Sequence, residues 1–257
     1  MRATVTRFTP SERWFHNTVM VTFVFLLVTG LAMLYFNLVG ERGEPRSFLV
    51  LAHEVVAILF LAGPVIALLL GARKVWKENY SILTRWSKSD LEWLTKKPLT
   101  TFLKNLSMPR DDKFNPGQKA WATVAVSGTA LLAASGIYMW IYESPILALF
   151  IHTAVAIGMV VALSGHVFMA LINPATREGI GSIIDGEVDA EWAMEHHPLW
   201  MERHATERMR DADVGGDAKV KIDGATPHSF PIPGLVRHSG RRRGMESSTI
   251  QIQTVDA

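Results

Sequence analysis

The chain has 257 residues, 49% of them hydrophobic and 19% charged, with a formal net charge of +2 and no cysteine. The missing thiols exclude disulfides, thiolate-held iron–sulfur clusters, cysteine-based zinc sites and covalent attachment of a haem through a CxxCH motif. So even a charge balance asks for no nucleic-acid partner, and the apolar residues are gathered into long runs separated by basic or polar stretches.

In chain order, Thr9-Pro10-Ser11-Glu12 reads as a capping box with proline at the first helical position, so a helix starts just before Trp14. The apolar runs at about 13–36, 48–70, 118–142 and 146–172 are each long enough, at about 1.5 Å per residue, to cross about 30 Å of hydrocarbon. The first run is too long for a cleavable signal and lacks its small-residue cleavage site. A lipid membrane crossed four times is the expected surrounding.

Between the second and third runs, 72–114 carries Arg73, Lys74, Lys77, Arg85, Lys88, Lys96, Lys97, Lys104, Arg110 and Lys113. By contrast 37–47 holds only Arg42 and Arg46, and the 143–145 turn holds neither lysine nor arginine. By the positive-inside rule, both termini and the long loop are cytoplasmic. Trp76, Tyr80, Trp86, Leu91 and Trp93 are interleaved with those lysines, and Ser89 with Glu92 reads as a further capping box. The loop is therefore expected to hold a helix in the cytoplasmic interface, a soluble helical linker being the alternative.

Asn115-Pro116-Gly117-Gln118 repeats the capping logic before the third run, and Asn173-Pro174 closes the fourth. Residues 187–210 read as helical; from 211 onward Gly, Asp, Pro and the Arg241-Arg242-Arg243 cluster point to a disordered tail. The expected fold is an all-α membrane protein. A four-helix transmembrane bundle occupies 1–176, followed by a cytoplasmic helical segment over 177–210 and the tail over 211–257, with no internal repeat.

Four histidines fall inside the four runs: His16, His53, His152 and His166. Ionisable side chains in a membrane span are costly, which makes each one a functional candidate. The topology sorts them by depth, with His53 and His152 near the outer face and His16 and His166 near the inner face. Between His152 and His166, fourteen residues turn a helix by about 1,400°, within roughly 40° of a whole number of turns, and rise about 21 Å. Both therefore point the same way at two depths.

Two depth-matched histidine pairs are what a protein needs to hold two b haems, one near each face, by axial ligation alone. Bis-His ligation leaves no open iron position, which favours electron transfer over oxygen chemistry. Interhelical hydrogen bonds, or a proton or metal pathway, are the alternatives for the histidines. A transporter would also be expected to carry acids in its spans, where Glu54 alone lies well inside a run. Gly30, fourteen residues after His16, faces the same interior at the outer depth. It either admits a porphyrin edge or, like Gly128 and Gly136, lets helices pack closely.

Several stretches carry a family resemblance over about 7–203. They are Arg7-Phe8-Thr9, Arg13-Trp14-Phe15-His16, Val28-Thr29-Gly30-Leu31, Lys113-Phe114-Asn115-Pro116-Gly117-Gln118-Lys119, the His152 and His166 pair, Gly186-Glu187-Val188-Asp189-Ala190-Glu191-Trp192-Ala193, and Glu195-His196-His197-Pro198-Leu199-Trp200. Together they resemble the cytochrome b (gamma) subunit of the membrane-bound formate dehydrogenases, although the four membrane histidines also suit hydrogenase and thiosulfate-reductase cytochromes b.

The resemblance implies the same haem pairing, and a menaquinone or ubiquinone site at the cytoplasmic haem near Asn115, Gly117, Gln118 and His166. It implies an iron–sulfur (beta) subunit and a molybdenum or tungsten catalytic (alpha) subunit as partners on the outer face of a bacterial cytoplasmic (inner) membrane. Electrons would enter at the outer haem and leave to quinone at the inner one, and the chain itself would hold no formate-oxidising site. His196 and His197 would lie on a cytoplasmic helix closing over the quinone region. Pro116 departs from the family, which more often has a small residue there; in the first turn of a helix that change is harmless. The tail beyond 211 matches nothing in the family.

Overall fold

The computed structural model describes residues 3–40, 43–103, 106–142 and 145–214. A short strand, β1 (Thr4–Thr6), precedes the first long helix, α1 (Pro10–Val39). The expected capping box starts α1. Glu12 N–H donates to Thr9 Oγ1 at 3.4 Å, and the Glu12 carboxylate accepts the Thr9 N–H at 2.7 Å. The helix ends at Gly40, whose left-handed φ of 79° lets its N–H close on the Phe36 carbonyl. Helix α2 (Glu44–Leu70) runs back beside it.

Two amphipathic helices follow, α3 (Arg73–Thr84) and α4 (Lys88–Lys96), the latter running into a tight turn over Lys97–Thr101. The capping box here is Ser87 with Asp90, not Ser89 with Glu92: Ser87 N–H donates to Asp90 Oδ2 at 2.8 Å and Asp90 N–H to Ser87 Oγ at 3.2 Å. Both serines begin a Ser-x-x-acid pattern. The earlier one prevails because Asp90 also pairs with Lys119, while Glu92 turns outward to Lys96 four residues on.

The second hairpin is α5 (Pro116–Ile141) with α6 (Ile146–Val167). The last turn of that span, Phe168–Ile172, widens to i→i+5 bonding and stops at Asn173, one residue before Pro174. Beyond it, α7 (Gly181–Ile184) leads to β2 (Glu187–Asp189), which pairs antiparallel with β1 through Thr4 with Asp189, Val5 with Val188 and Thr6 with Glu187. Residues 187–189 are thus a strand rather than the start of a helix. They pin the N-terminal arm to the segment after the fourth span, one small ladder in a fold that is otherwise helical, as expected. Asp189 then caps α8 (Ala190–His196), and α9 (Pro198–Val214) continues four residues past the expected boundary at 210. The rest of the tail, from 215, lies outside the described residues.

α1, α2, α5 and the span begun by α6 are, among the described residues, long and apolar enough to cross a membrane. Their outward faces are apolar and exposed, as at Val126 (70%) and Val161 (71%). That is the reverse of a water-soluble bundle and fits a hydrocarbon surround. Each hairpin closes on small residues. A Cβ on Gly63 would lie 2.5 Å from Thr18 Cγ2, and one on Gly128 would overlap Met159 Sδ. The extensive helix packing runs within the hairpins, α1 on α2 and α5 on α6, rather than between them.

At the end where α1 and α5 begin, buried polar side chains tie the elements together. Lys113 Nζ contacts Glu12 Oε1 at 2.7 Å, and Asn79 of α3 bonds both, at 2.6 and 3.0 Å. Lys119 of α5 pairs with Asp90 of α4 at 2.8 Å.

Candidate functional site

The two hairpins meet through the four membrane histidines. His16 of α1 faces His166 of α6 with ring centroids 6.3 Å apart. His53 of α2 faces His152 of α6 with centroids 6.4 Å apart. The structure therefore brings together the two pairs that depth sorting gives from the sequence, and α6 contributes to both. Among the described residues no three His, Cys, Asp or Glu side chains converge as a metal cluster.

Each ring of the His53/His152 pair has a hydroxyl against it. Thr29 Oγ1 lies 2.8 Å from His53 Nδ1, and Ser135 Oγ lies 3.0 Å from His152 Nδ1. The residue after each hydroxyl is a glycine. A Cβ on Gly30 would rest 3.6 Å from His53 Cε1, and one on Gly136 3.5 Å from His152 Cε1. At the other pair, Trp121 of α5 lies flat on His166, centroids 4.6 Å apart and planes 8° from parallel, and His16 Nδ1 is 3.4 Å from Asn17 Oδ1.

Asn115, Gly117 and Gln118 gather at the start of α5, one helical turn before Trp121. Gln118 N–H donates to Asn115 Oδ1 at 2.9 Å and Asn115 N–H donates to Gln118 Oε1 at 3.0 Å. A Cβ on Gly117 would lie 3.4 Å from the Trp93 ring. Arg7 reaches in from the N-terminal arm, donating from Nη2 to the Lys113 carbonyl at 2.7 Å and to Gln118 Oε1 at 3.5 Å. Burial lowers the Arg7 guanidinium to about 10 against the opposing pull of Glu12. Burial likewise pushes the Asp111 carboxyl up to about 6, while Asp90 is held below its ordinary value by Lys119 and Ser87 despite its desolvation.

His196 and His197 lie outside the spans and beside Trp192. His197 Nδ1 is 2.7 Å from the Asp112 carbonyl, and burial together with the Arg7 charge pushes its imidazole down to about 3. These two histidines belong to the packing of the end cluster.

The family model for prokaryotic cytochrome b561 matches residues 7–186. The chain belongs to the prokaryotic cytochrome b561 family. It is a bacterial-type membrane protein of four apolar helices, and haem b is the group that membership of the cytochrome b561 family implies.

The residues fit that group. Iron in a porphyrin takes four nitrogens from the macrocycle, and a facing histidine pair would supply its two remaining ligands. A metal–imidazole bond is about 2.0 Å and a ring centroid lies about 1.2 Å behind its nitrogen, so two imidazoles on one iron have centroids roughly 6.4 Å apart. Both pairs have that spacing. The glycines beside the His53/His152 rings leave space that helix contact does not require, since a Cβ there would make only ordinary contact.

Among curated relatives, the chain is similar to the cytochrome b556(fdo) subunit of formate dehydrogenase from Escherichia coli, at 27% identity over 82% of this chain and 99% of the relative. It is similar to the cytochrome b556 subunit of formate dehydrogenase from Haemophilus influenzae, at 23% over 76% of this chain and 82% of the relative. The nitrate-inducible cytochrome b556(Fdn) subunit of Escherichia coli matches at 27% over 50% of this chain and 62% of the relative.

Sequence reasoning missed three residues at this site: Thr29, Ser135 and Trp121. A partial signal was there for two of them. A hydroxyl followed by glycine occurs at 29–30 and 135–136, as it also does at 127–128 and 164–165, so the pair alone does not single out the two beside histidines.

Proposed function

We propose that this chain is the membrane cytochrome b subunit of a formate dehydrogenase, taking electrons from an iron–sulfur subunit on the outer face and passing them to quinone at the cytoplasmic side. His53 with His152, and His16 with His166, each hold one haem b, which supplies a one-electron carrier at each depth. The observation that carries this reading is the 6.3 and 6.4 Å separation of the two ring pairs, within a chain that aligns along nearly the whole length of a formate dehydrogenase cytochrome subunit. A molybdenum or tungsten catalytic subunit completes the complex, and the membrane is the bacterial inner membrane.

The orientation rests on charge. Arg73, Lys74, Lys77, Arg85, Lys88, Lys96 and Lys97 crowd the end that carries α3 and α4. That end is cytoplasmic by the positive-inside rule, and so are both termini. His16 and His166 then form the inner pair.

Quinone binds at the same end. The capping box at the start of α5 uses the side-chain oxygens of Asn115 and Gln118. Their amide NH2 groups remain as donors, which is what a quinone carbonyl needs. Gly117 between them lets the Trp93 ring and Asn115 Oδ1 approach the backbone closely, and Trp121 closes the path toward His166.

A reduced-minus-oxidised spectrum of the purified chain with a pyridine haemochrome assay is the first test, and two b haems per polypeptide is the expected result. Folded protein without haem would sink the reading. Affinity purification from the native membrane then decides the partner: co-purified iron–sulfur and molybdenum or tungsten subunits with formate-to-quinone activity support it, whereas a hydrogenase partner overturns the formate assignment.

A further inference from the structure

The two histidine pairs are held differently, and the difference follows a pattern repeated in both hairpins. On α1, Thr29 is followed by Gly30 and stands against His53 of α2; on α5, Ser135 is followed by Gly136 and stands against His152 of α6. Thr29 is 4% exposed and Ser135 8%. Buried hydroxyls in apolar helices commonly bond back to a carbonyl one turn earlier, and both do so here. Thr29 Oγ1 donates toward the Phe25 and Leu26 carbonyls at 2.9 and 3.1 Å, and Ser135 Oγ toward those of Leu131 and Leu132 at 2.6 and 3.2 Å.

That commitment decides the imidazole tautomer. A hydroxyl whose hydrogen points at a carbonyl offers only a lone pair to the ring, so Nδ1 of His53 and of His152 must carry the proton and donate it. Nε2 is left with its lone pair on each ring, which is the form that binds a metal. The inner pair has weaker support, a single 3.4 Å contact from His16 Nδ1 to Asn17 Oδ1. Among the described residues no hydrogen bond to His16 or His166 is shorter than 3.4 Å, and His166 is held by the face of Trp121 instead.

We propose that Thr29 and Ser135 are positioning residues that lock the outer pair in the Nδ1–H tautomer and lower its reduction potential, biasing electrons toward the inner pair. The inference rests on the haem reading above. An imidazole that donates its second N–H to an acceptor is a stronger base at the ligating nitrogen, and a stronger base favours the oxidised iron. Because both rings of one pair have a buried hydroxyl at 2.8–3.0 Å and the other pair has only the longer Asn17 contact at His16, the effect is an asymmetry between the two depths. The alternative is that the hydroxyls serve only their own helices.

The test is a spectroelectrochemical redox titration of the purified chain in which Thr29→Val and Ser135→Ala are combined, set beside Thr29→Ser and Ser135→Thr. The expected result is that the lower-potential component moves upward while the higher one stays, and that the conservative variants keep the wild-type titration. Components that stay put in a fully loaded variant, or that move together, overturn the proposal. Where the double variant loses one haem, each single variant is titrated. Loss with Thr29→Val or Ser135→Ala but not with Thr29→Ser or Ser135→Thr supports the positioning role, and equal loss in both overturns it. The reading underneath fails separately, by the absence of haem from the folded wild-type chain.

Discussion

Trp121 lies flat on His166, ring centroids 4.6 Å apart and planes 8° from parallel. The contact joins the one membrane helix without a membrane histidine, α5, to the inner pair. It also stands one helical turn from Gln118, between the proposed quinone donors and the imidazole. A stacked aromatic pair is worth about 0.5–1.5 kcal/mol beyond its area.

Only the part of that energy that differs between redox states moves a potential, so for a one-electron couple the ceiling is roughly 20–60 mV. Trp121→Leu is therefore expected to move the inner component within that ceiling, leave the outer one in place, and lower quinone-linked turnover. A redox titration of the variant in which the outer component moves, or neither does, would show that the stack has no bearing on the inner pair.

The glycines divide by what their missing Cβ would meet. Gly128 is a packing glycine, because a Cβ there collides with Met159; Gly30 and Gly136 are not, because a Cβ would sit at ordinary contact distance from a histidine. Gly30→Ala is expected to be tolerated. Gly30→Leu extends into the space beside His53 and is expected to remove the outer haem alone, halving haem per chain in a pyridine haemochrome assay. Gly128→Leu should instead lower the thermal stability of the second hairpin, by about 1–3 kcal/mol for overpacking. Full haem content in Gly30→Leu would return Gly30 to a packing role.

The four spans and both histidine pairs were legible because hydrocarbon imposes strong rules: length sets the spans, and a costly histidine stands out against an apolar background. The capping boxes at Thr9 and Asn115 were legible for a local reason, since each is decided within four residues. What could not be read depended on partners far along the chain. Nothing near Ser89 reveals that Asp90 will pair with Lys119, and nothing near Glu187 reveals that Thr4 to Thr6 will lie beside it as a strand. Thr29 and Ser135 were overlooked because a hydroxyl in a membrane helix satisfies itself on its own backbone and so carries no visible cost.

Buried charge at the end that carries α3 and α4 makes a second class of prediction. The side chains of Lys119 and Asp90 are 9% and 10% exposed, and their pairing fixes α4 against α5. Removing one partner of a buried ion pair strands the other charge and costs about 3–5 kcal/mol, whereas neutralising both recovers much of that. Lys119→Met should lower the melting temperature in detergent. Combining Lys119→Met with Asp90→Asn should restore most of it, since an asparagine side chain can still accept the N-terminal hydrogen bonds of α4. Strict additivity of the two substitutions would mean that the charges do not interact.

Acid sensitivity of the segment after the fourth span follows from His197 and Asp111, which act with opposite sign. His197 has an ordinary value of 6.5 and is pushed down to about 3, by burial first and by Arg7 second. Between those values the unfolded chain binds a proton that the folded chain refuses, so stability is full above about 6.5 and falls as pH falls through the window. Asp111 is raised from 3.8 to about 6, chiefly by burial. There the folded chain holds the extra proton, so its contribution is full below about 4 and is lost as pH rises toward 6.

The two partly cancel in the wild-type protein, and a substitution separates them. His197→Gln removes the first slope and keeps the second. Its stability deficit against wild type, read from hydrogen exchange of the His197 amide bonded to the Ala193 carbonyl, should shrink by about 2 kcal/mol from pH 7 to pH 5. For Asp111→Asn the sign reverses: its deficit is largest at pH 5 and shrinks as pH rises. A deficit independent of pH in both variants would mean that neither group changes protonation on folding.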